Sequence, residues 1–167
     1  MAQLRINCEQ TALNLVTQDH SNVGILRFPP TVHGTNDTGF IQQIVKAAKK
    51  SGRCAYVGNG GNVWPAVHVL DAAVAISKIL VTHPSESGSI YNIVAETGIE
   101  WNRISAAISN KYGIPSVSLT QQQANTDYGF LGQFVSLNNP TDNSQTKHHL
   151  NWQPQQIGLL EDIKLNY

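Results

Sequence analysis

The sequence predicts an α/β protein, and three observations carry that expectation. Short apolar runs alternate with helical stripes, the clearest helix carries both a start and a stop signal, and glycine or proline stands at most junctions. The chain has 167 residues. A chain near 150 residues buries roughly 70% of its unfolded surface, so residues 1–167 are expected to form one domain with a real core.

Leu4, Cys8, Ala12, Leu15 and Val16 repeat at helical spacing, and the stripe stops near Asp19-His20-Ser21-Asn22. Residues 23–28 then form a short apolar run closed by Pro29-Pro30, which reads as a strand buried on both faces followed by a loop. Asp37 or Thr38 is placed to cap a helix through Phe40, Ile41, Ile44, Val45 and Ala48. Its last turn carries Lys46, Lys49 and Lys50, where the helix dipole favours cations, and Gly52 follows as a stop. Residues 54–57 read as a strand and 58–62 as a loop. Val67-His68-Val69 leads to Asp71, placed to cap a helix over Ala72, Ala75, Ile76, Ile79 and Leu80.

Residues 89–93 are a further strand candidate. Thr97-Gly-Ile-Glu100 has the spacing of a capping box opening a helix with Trp101, Ile104 and Ile108 on one face, and Gly113 and Pro115 mark its end. Residues 117–119 read as a strand, and 121–127, 141–150 and 156–164 as helical. There is no internal repeat and no linker.

Eleven basic residues balance eleven acidic ones, and charged residues make up only 13%. Nothing in that balance calls for nucleic acid, a membrane surface or an acidic partner. A neutral small molecule or a protein is the expected partner. The 28 Asn and Gln residues outnumber the 22 charged ones but are dispersed among apolar positions, so they form no low-complexity tract. Cys8 and Cys54 sit in a helix face and a strand, which suits buried free thiols and a reducing, cytoplasmic setting. No stretch approaches the ~20 apolar residues of a membrane span, and the first residues lead into a helical pattern without a signal-peptide apolar region.

Arg27-Phe-Pro-Pro-Thr-Val-His-Gly34, then Tyr56-Val-Gly-Asn-Gly60, then Val67-His-Val-Leu-Asp-Ala-Ala73 stand at a spacing that resembles the extended short-chain dehydrogenase/reductase family, its NAD-dependent epimerase/dehydratase group. Ser89-Ile-Tyr-Asn-Ile93, Phe130-Leu-Gly132, Asn138-Asn-Pro140 and Leu150-Asn-Trp-Gln-Pro154 with Gly158-Leu-Leu-Glu-Asp162 are similar to the carboxyl-terminal pattern of an atypical, NAD(P)-dependent oxidoreductase subgroup. The resemblance implies a partial Rossmann-like parallel sheet with helices, plus the small carboxyl-terminal substrate subdomain. It also implies NAD or NADP as cofactor. The family's glycine-rich turn, which holds the dinucleotide pyrophosphate at a helix amino terminus, does not occur in this sequence; residues 58–63 end in Val63 where the motif needs glycine. The family's Tyr-x-x-x-Lys pair is likewise not found, since none of Tyr56, Tyr91, Tyr112, Tyr128 or Tyr167 has a lysine four residues later. The chain thus resembles the carboxyl-terminal half of such an enzyme. Weak or no NAD(P) binding and no independent hydride transfer are expected of it alone. A binding or assembly module, or one half of a split enzyme, are the alternatives.

By the same resemblance Pro29, Pro30, Thr31 and Val32 would line the nicotinamide end of a cofactor site, in vestigial form, and His33 would face the substrate. Two prolines also make a rigid turn with or without a ligand. By the same resemblance Trp64 is a substrate-binding candidate, standing where nucleotide-sugar members of the family place a phosphate-binding arginine. An indole carries no cation, so a small neutral carbonyl or alcohol is the more compatible substrate. His68 and Asp71, three residues apart at a helix start, read as a His/Asp pair or as a cap with packing, the latter preferred. His148-His149 has no second cluster with metal spacing. The opening helix and the strand at 23–28, stripped of their family neighbours, are expected to form a homodimer or to receive a missing amino-terminal half.

Overall fold

The computed structural model describes residues 2–18, 22–82 and 87–167. In chain order these form α1 (Ala2–Gln18), β1 (Gly24–Arg27), β2 (Thr31–His33), α2 (Phe40–Ser51), β3 (Cys54–Val57), β4 (Val63–His68), α3 (Val69–Thr82), β5 (Ser89–Asn92), β6 (Glu96–Glu100), α4 (Trp101–Tyr112), β7 (Ser116–Leu119), α5 (Gln121–Tyr128), a 3-10 helix (Gly129–Ser136), α6 (Ser144–His149) and α7 (Leu159–Asn166). The fold is α/β, as expected. The predicted stop of α1 at 19–21 lies outside the described residues.

Three small sheets carry the strands. β1 pairs in parallel with β5, β3 pairs in parallel with β7, and β4 lies between parallel β2 and antiparallel β6. One core gathers Ile41, Ile44, Val45 and Ala48 of α2 with Trp64, Trp101, Ile104 and Leu159. A second, smaller core joins Val67, Ala72 and Ala75 to Tyr91, Ile93 and Trp152. The lysine-ended helix α2 stops at Gly52, and α4 stops at Gly113. Both glycines adopt the left-handed conformation that a β-carbon disfavours.

Several local expectations need correction. Asp37 and Thr38 do not cap α2, whose cap position is Gly39; Asp37 instead accepts from the Gly39 amide and from the Tyr167 hydroxyl. Thr97-Gly-Ile-Glu100 is strand β6 rather than a helix start. Its backbone pairs with β4 and its Ile99 enters the core, a tertiary gain that outweighs the cap. The capping box that does form is Thr120 with Gln123, at the start of α5. Asp71 lies inside α3, past its first residue, so it caps nothing of its own helix. The segment after Pro30 is no loop: Thr31–His33 is a strand held against Ala66, Val67 and His68.

The opening helix is where burial departs most from the pattern. Cys54 is buried, and burial pushes its thiol pKa up. Cys8 is exposed, because the stripe of α1 meets little of the described chain; Leu4 is 68% exposed and Ile6 57%. The helix is tied to β1 through Glu9, which takes both Nε and Nη2 of Arg27 at 2.6–3.2 Å. That guanidinium hydrogen bond holds the Glu9 carboxyl below its usual range. Nor is β1 buried on both faces: Ile25 and Leu26 are half-buried, Gly24 and Arg27 exposed.

Candidate functional site

The residues picked out by sequence fall into two places, not one. At the carboxyl ends of β1 and β5, Phe28, Pro29, Asn92, Val94 and Pro140 border a cleft of about 350 Å³. The carboxyl end of parallel strands is where open α/β sheets bind ligands, because loops diverge there. Thr31 does not reach that cleft: it is buried, and its hydroxyl accepts a 2.7 Å bond from the Trp64 indole N–H. Trp64 itself is a core residue, 1% exposed, packed on Trp101 at 5.0 Å between ring centroids and on Phe40 at 6.2 Å. Pro30 and Val32 are half-buried.

His33 belongs to the second place. Strand register sets it beside His68, the two rings meeting edge-on at 5.3 Å. Its Nδ1 lies 2.7 Å from Oδ2 of Asp162, and both residues are buried, at 1% and 0% exposure. Nδ1 is therefore the ring nitrogen that donates to the carboxylate, and Nε2 is the one left facing Glu96. That nitrogen lies 4.0 Å from Glu96 Oε2, beyond hydrogen-bond reach. His33, His68, Asp71, Glu96, Lys147 and Gly158 border a cavity of about 240 Å³.

Around this cavity the other acids are already engaged. Asp71 accepts from the amides of Gln155 and Gln156 at 2.8 and 3.0 Å, fastening the segment before α7 to the start of α3. His68 Nδ1 accepts from the Leu70 amide at 3.2 Å, so His68 and Asp71 turn to separate backbone partners instead of to one another. Asp162 Oδ1 accepts from Asn166 at 2.6 Å. Glu96 Oε2 accepts from the Leu159 amide at 2.7 Å, satisfying one of the first free N–H groups of α7.

Glu96, Lys147 and Asp162 were not singled out as site residues by the sequence reading. Asp162 had a signal: Leu159, Asp162 and Ile163 share one buried helix face, and a charge on such a face calls for a buried partner. Glu96 and Lys147 had none, because their proximity is made by the tertiary fold. Among the described residues no group of three or more His, Cys, Asp or Glu is arranged to hold a metal ion. No helix among them is long and apolar enough to cross a membrane.

A third feature is an open groove of about 620 Å³ between α1 and β1, floored by Ile25, Leu26 and Phe28 and walled by Leu4 and Cys8. Among the described residues β1 pairs with β5 alone, so its other edge carries no strand.

Residues 6–94 match the model of the NAD dependent epimerase/dehydratase family. An uncharacterized protein of Schizosaccharomyces pombe is 40% identical over 155 residues, which are 93% of this chain and 52% of that protein. An uncharacterized protein of Saccharomyces cerevisiae is 40% identical over 98% of this chain and 54% of its own length. The chain thus spans about half the length of the curated relatives it matches. Among solved structures, an epimerase of Methanothermobacter thermautotrophicus superposes with a TM-score of 0.71 at 12% identity, over 95% of this chain and 46% of its own. The dTDP-glucose 4,6-dehydratase of Streptomyces venezuelae, solved with NAD bound, gives 0.68 at 17% identity, over 95% of this chain and 46% of that one.

Proposed function

Because this chain belongs to the NAD dependent epimerase/dehydratase family, we propose that it is the substrate-side portion of an NAD(P)-dependent oxidoreductase or epimerase, inactive in hydride transfer until a dinucleotide-binding half is joined to it. The observation that carries this reading is the edge of β1 that no strand among the described residues pairs, beside an apolar groove. A parallel strand from a dinucleotide half would satisfy the backbone groups along that edge and cover Ile25 and Leu26. That half is supplied by the same polypeptide or by another. Pro29, at the carboxyl end of β1, would then border the nicotinamide end of the cofactor, with Pro30, Thr31 and Val32 shaping the turn behind it. The cofactor would supply the hydride acceptor or donor. This chain's own residues would orient the substrate, a small neutral carbonyl or alcohol, in the region of His33.

Two measurements test the reading. Titration of the purified chain with NAD and with NADP in a calorimeter is expected to give no saturable heat, since neither a pyrophosphate turn nor a ribose-binding acid is in the sequence. Co-expression with the part of the Schizosaccharomyces pombe relative that this chain does not match is expected to yield a stable complex that does bind the nucleotide. A clear micromolar dissociation constant for the chain alone would overturn the proposal.

Alone, the chain is expected to close the same edge on a second copy, giving a homodimer through β1 and α1. Sedimentation equilibrium should then show association of the 18.2 kDa chain at micromolar concentration. A folded monomer with no concentration dependence would mean that the edge is covered internally.

A further inference from the structure

We propose that the cavity between β2, β6 and the segment before α7 binds a small neutral polyol, one hydroxyl of which bridges His33 Nε2 and Glu96 while a neighbouring hydroxyl accepts from Lys147. The gap defines the ligand. His33 Nε2 and Glu96 Oε2 face each other at 4.0 Å, too far to bond directly. One O–H group set there lies within bonding distance of both. Glu96 Oε1 has no hydrogen-bond partner among the described residues, whereas each oxygen of Asp71 has one.

Gly158 fits this arrangement. A β-carbon on it would stand 2.8 Å from Glu96 Oε1, so any side chain there would displace the oxygen or fill its approach. Lys147 supplies the complementary donor, as its ammonium has no ion pair among the described residues. The lining presents carboxylates at Asp71 and Glu96 and an ammonium at Lys147, so it offers both acceptors and a donor. Vicinal hydroxyls, which donate and accept on adjacent atoms, match both. Size sets the upper limit, because about 240 Å³ is room for about eight waters at roughly 30 Å³ each, hence for a polyol of about four carbons.

This inference deepens the oxidoreductase reading by naming its alcohol, but the binding needs only this chain. The test is a titration of the full chain with erythritol, followed through the ring nitrogen signals of His33 and His68 by NMR. A saturable shift of His33 Nε2 is expected, with none from 1-butanol, and Lys147→Met and Glu96→Gln should each weaken the erythritol affinity about tenfold. Glu96→Gln keeps an oxygen for the Leu159 amide, and the half-buried Lys147 side chain makes no hydrogen bond among the described residues, so both variants should fold. Failure of His33 to respond, an equal response to 1-butanol, or unchanged affinity in both variants would overturn the assignment. Binding here without a complex forming with a dinucleotide half would leave the cavity intact and sink the oxidoreductase reading alone.

Discussion

Replacing Asp162 with alanine is expected to destabilise the protein by about 3–5 kcal/mol, the usual cost of stripping one partner from a buried ionic or charge-assisted pair. The carboxylate is 0% exposed and binds both His33 Nδ1 and Asn166 Nδ2. Without it the His33 ring N–H stays buried unpaired, the exposed Asn166 amide turns to water, and a cavity opens under α7. Asp162→Asn keeps an acceptor for Asn166 and an amide that faces the ring, which can answer by moving its proton to Nε2, so a smaller loss of about 1–2 kcal/mol is expected. His33→Ala should cost less when Asp162 is already alanine than when it is intact, giving a positive coupling in a double-mutant cycle. Urea midpoints at constant m-value measure all four states. A loss within 1 kcal/mol for Asp162→Ala would mean that this pair does not hold α7 to β2.

Trp64→Ala is expected to cost about 3–5 kcal/mol of stability, as large aromatic truncations in a core do. The sequence reading had offered this indole as a substrate-binding group; the structure packs it against Trp101 and Phe40, with its N–H on Thr31. Trp64→Phe retains much of the packing but leaves the Thr31 hydroxyl without its donor, so about 1–3 kcal/mol is expected. Thermal unfolding followed by near-ultraviolet circular dichroism checks both variants. If Trp64→Ala left the melting temperature unchanged and abolished ligand binding instead, the substrate role would stand and the packing account would fall.

The difference between the two tryptophan readings lies in what a linear pattern contains. Periodicity placed α2, α4 and α5, and the glycines at 52 and 113 marked two helix ends, because these depend on neighbours three or four residues away. The strands at 24–27, 54–57 and 89–92 were legible as apolar runs between breakers. The same local reasoning failed at 97–100, where a capping-box spacing became a strand once β4 lay alongside to pair with it. It failed again at Asp71, whose acceptors serve residues 155 and 156, more than eighty positions away.

Family, fold class and the order of the motifs were therefore determined by the sequence itself, since each rests on short segments whose chemistry is local. The site was decided by tertiary structure. His33 Nε2 faces Glu96 because β2 and β6 flank β4, and Nδ1 meets a carboxylate because α7 brings Asp162 up from 129 residues along the chain. No periodicity encodes such distances. They follow from the packing that buries Leu159 and Ile163, which carries the charge between them into the core and obliges it to find a partner there.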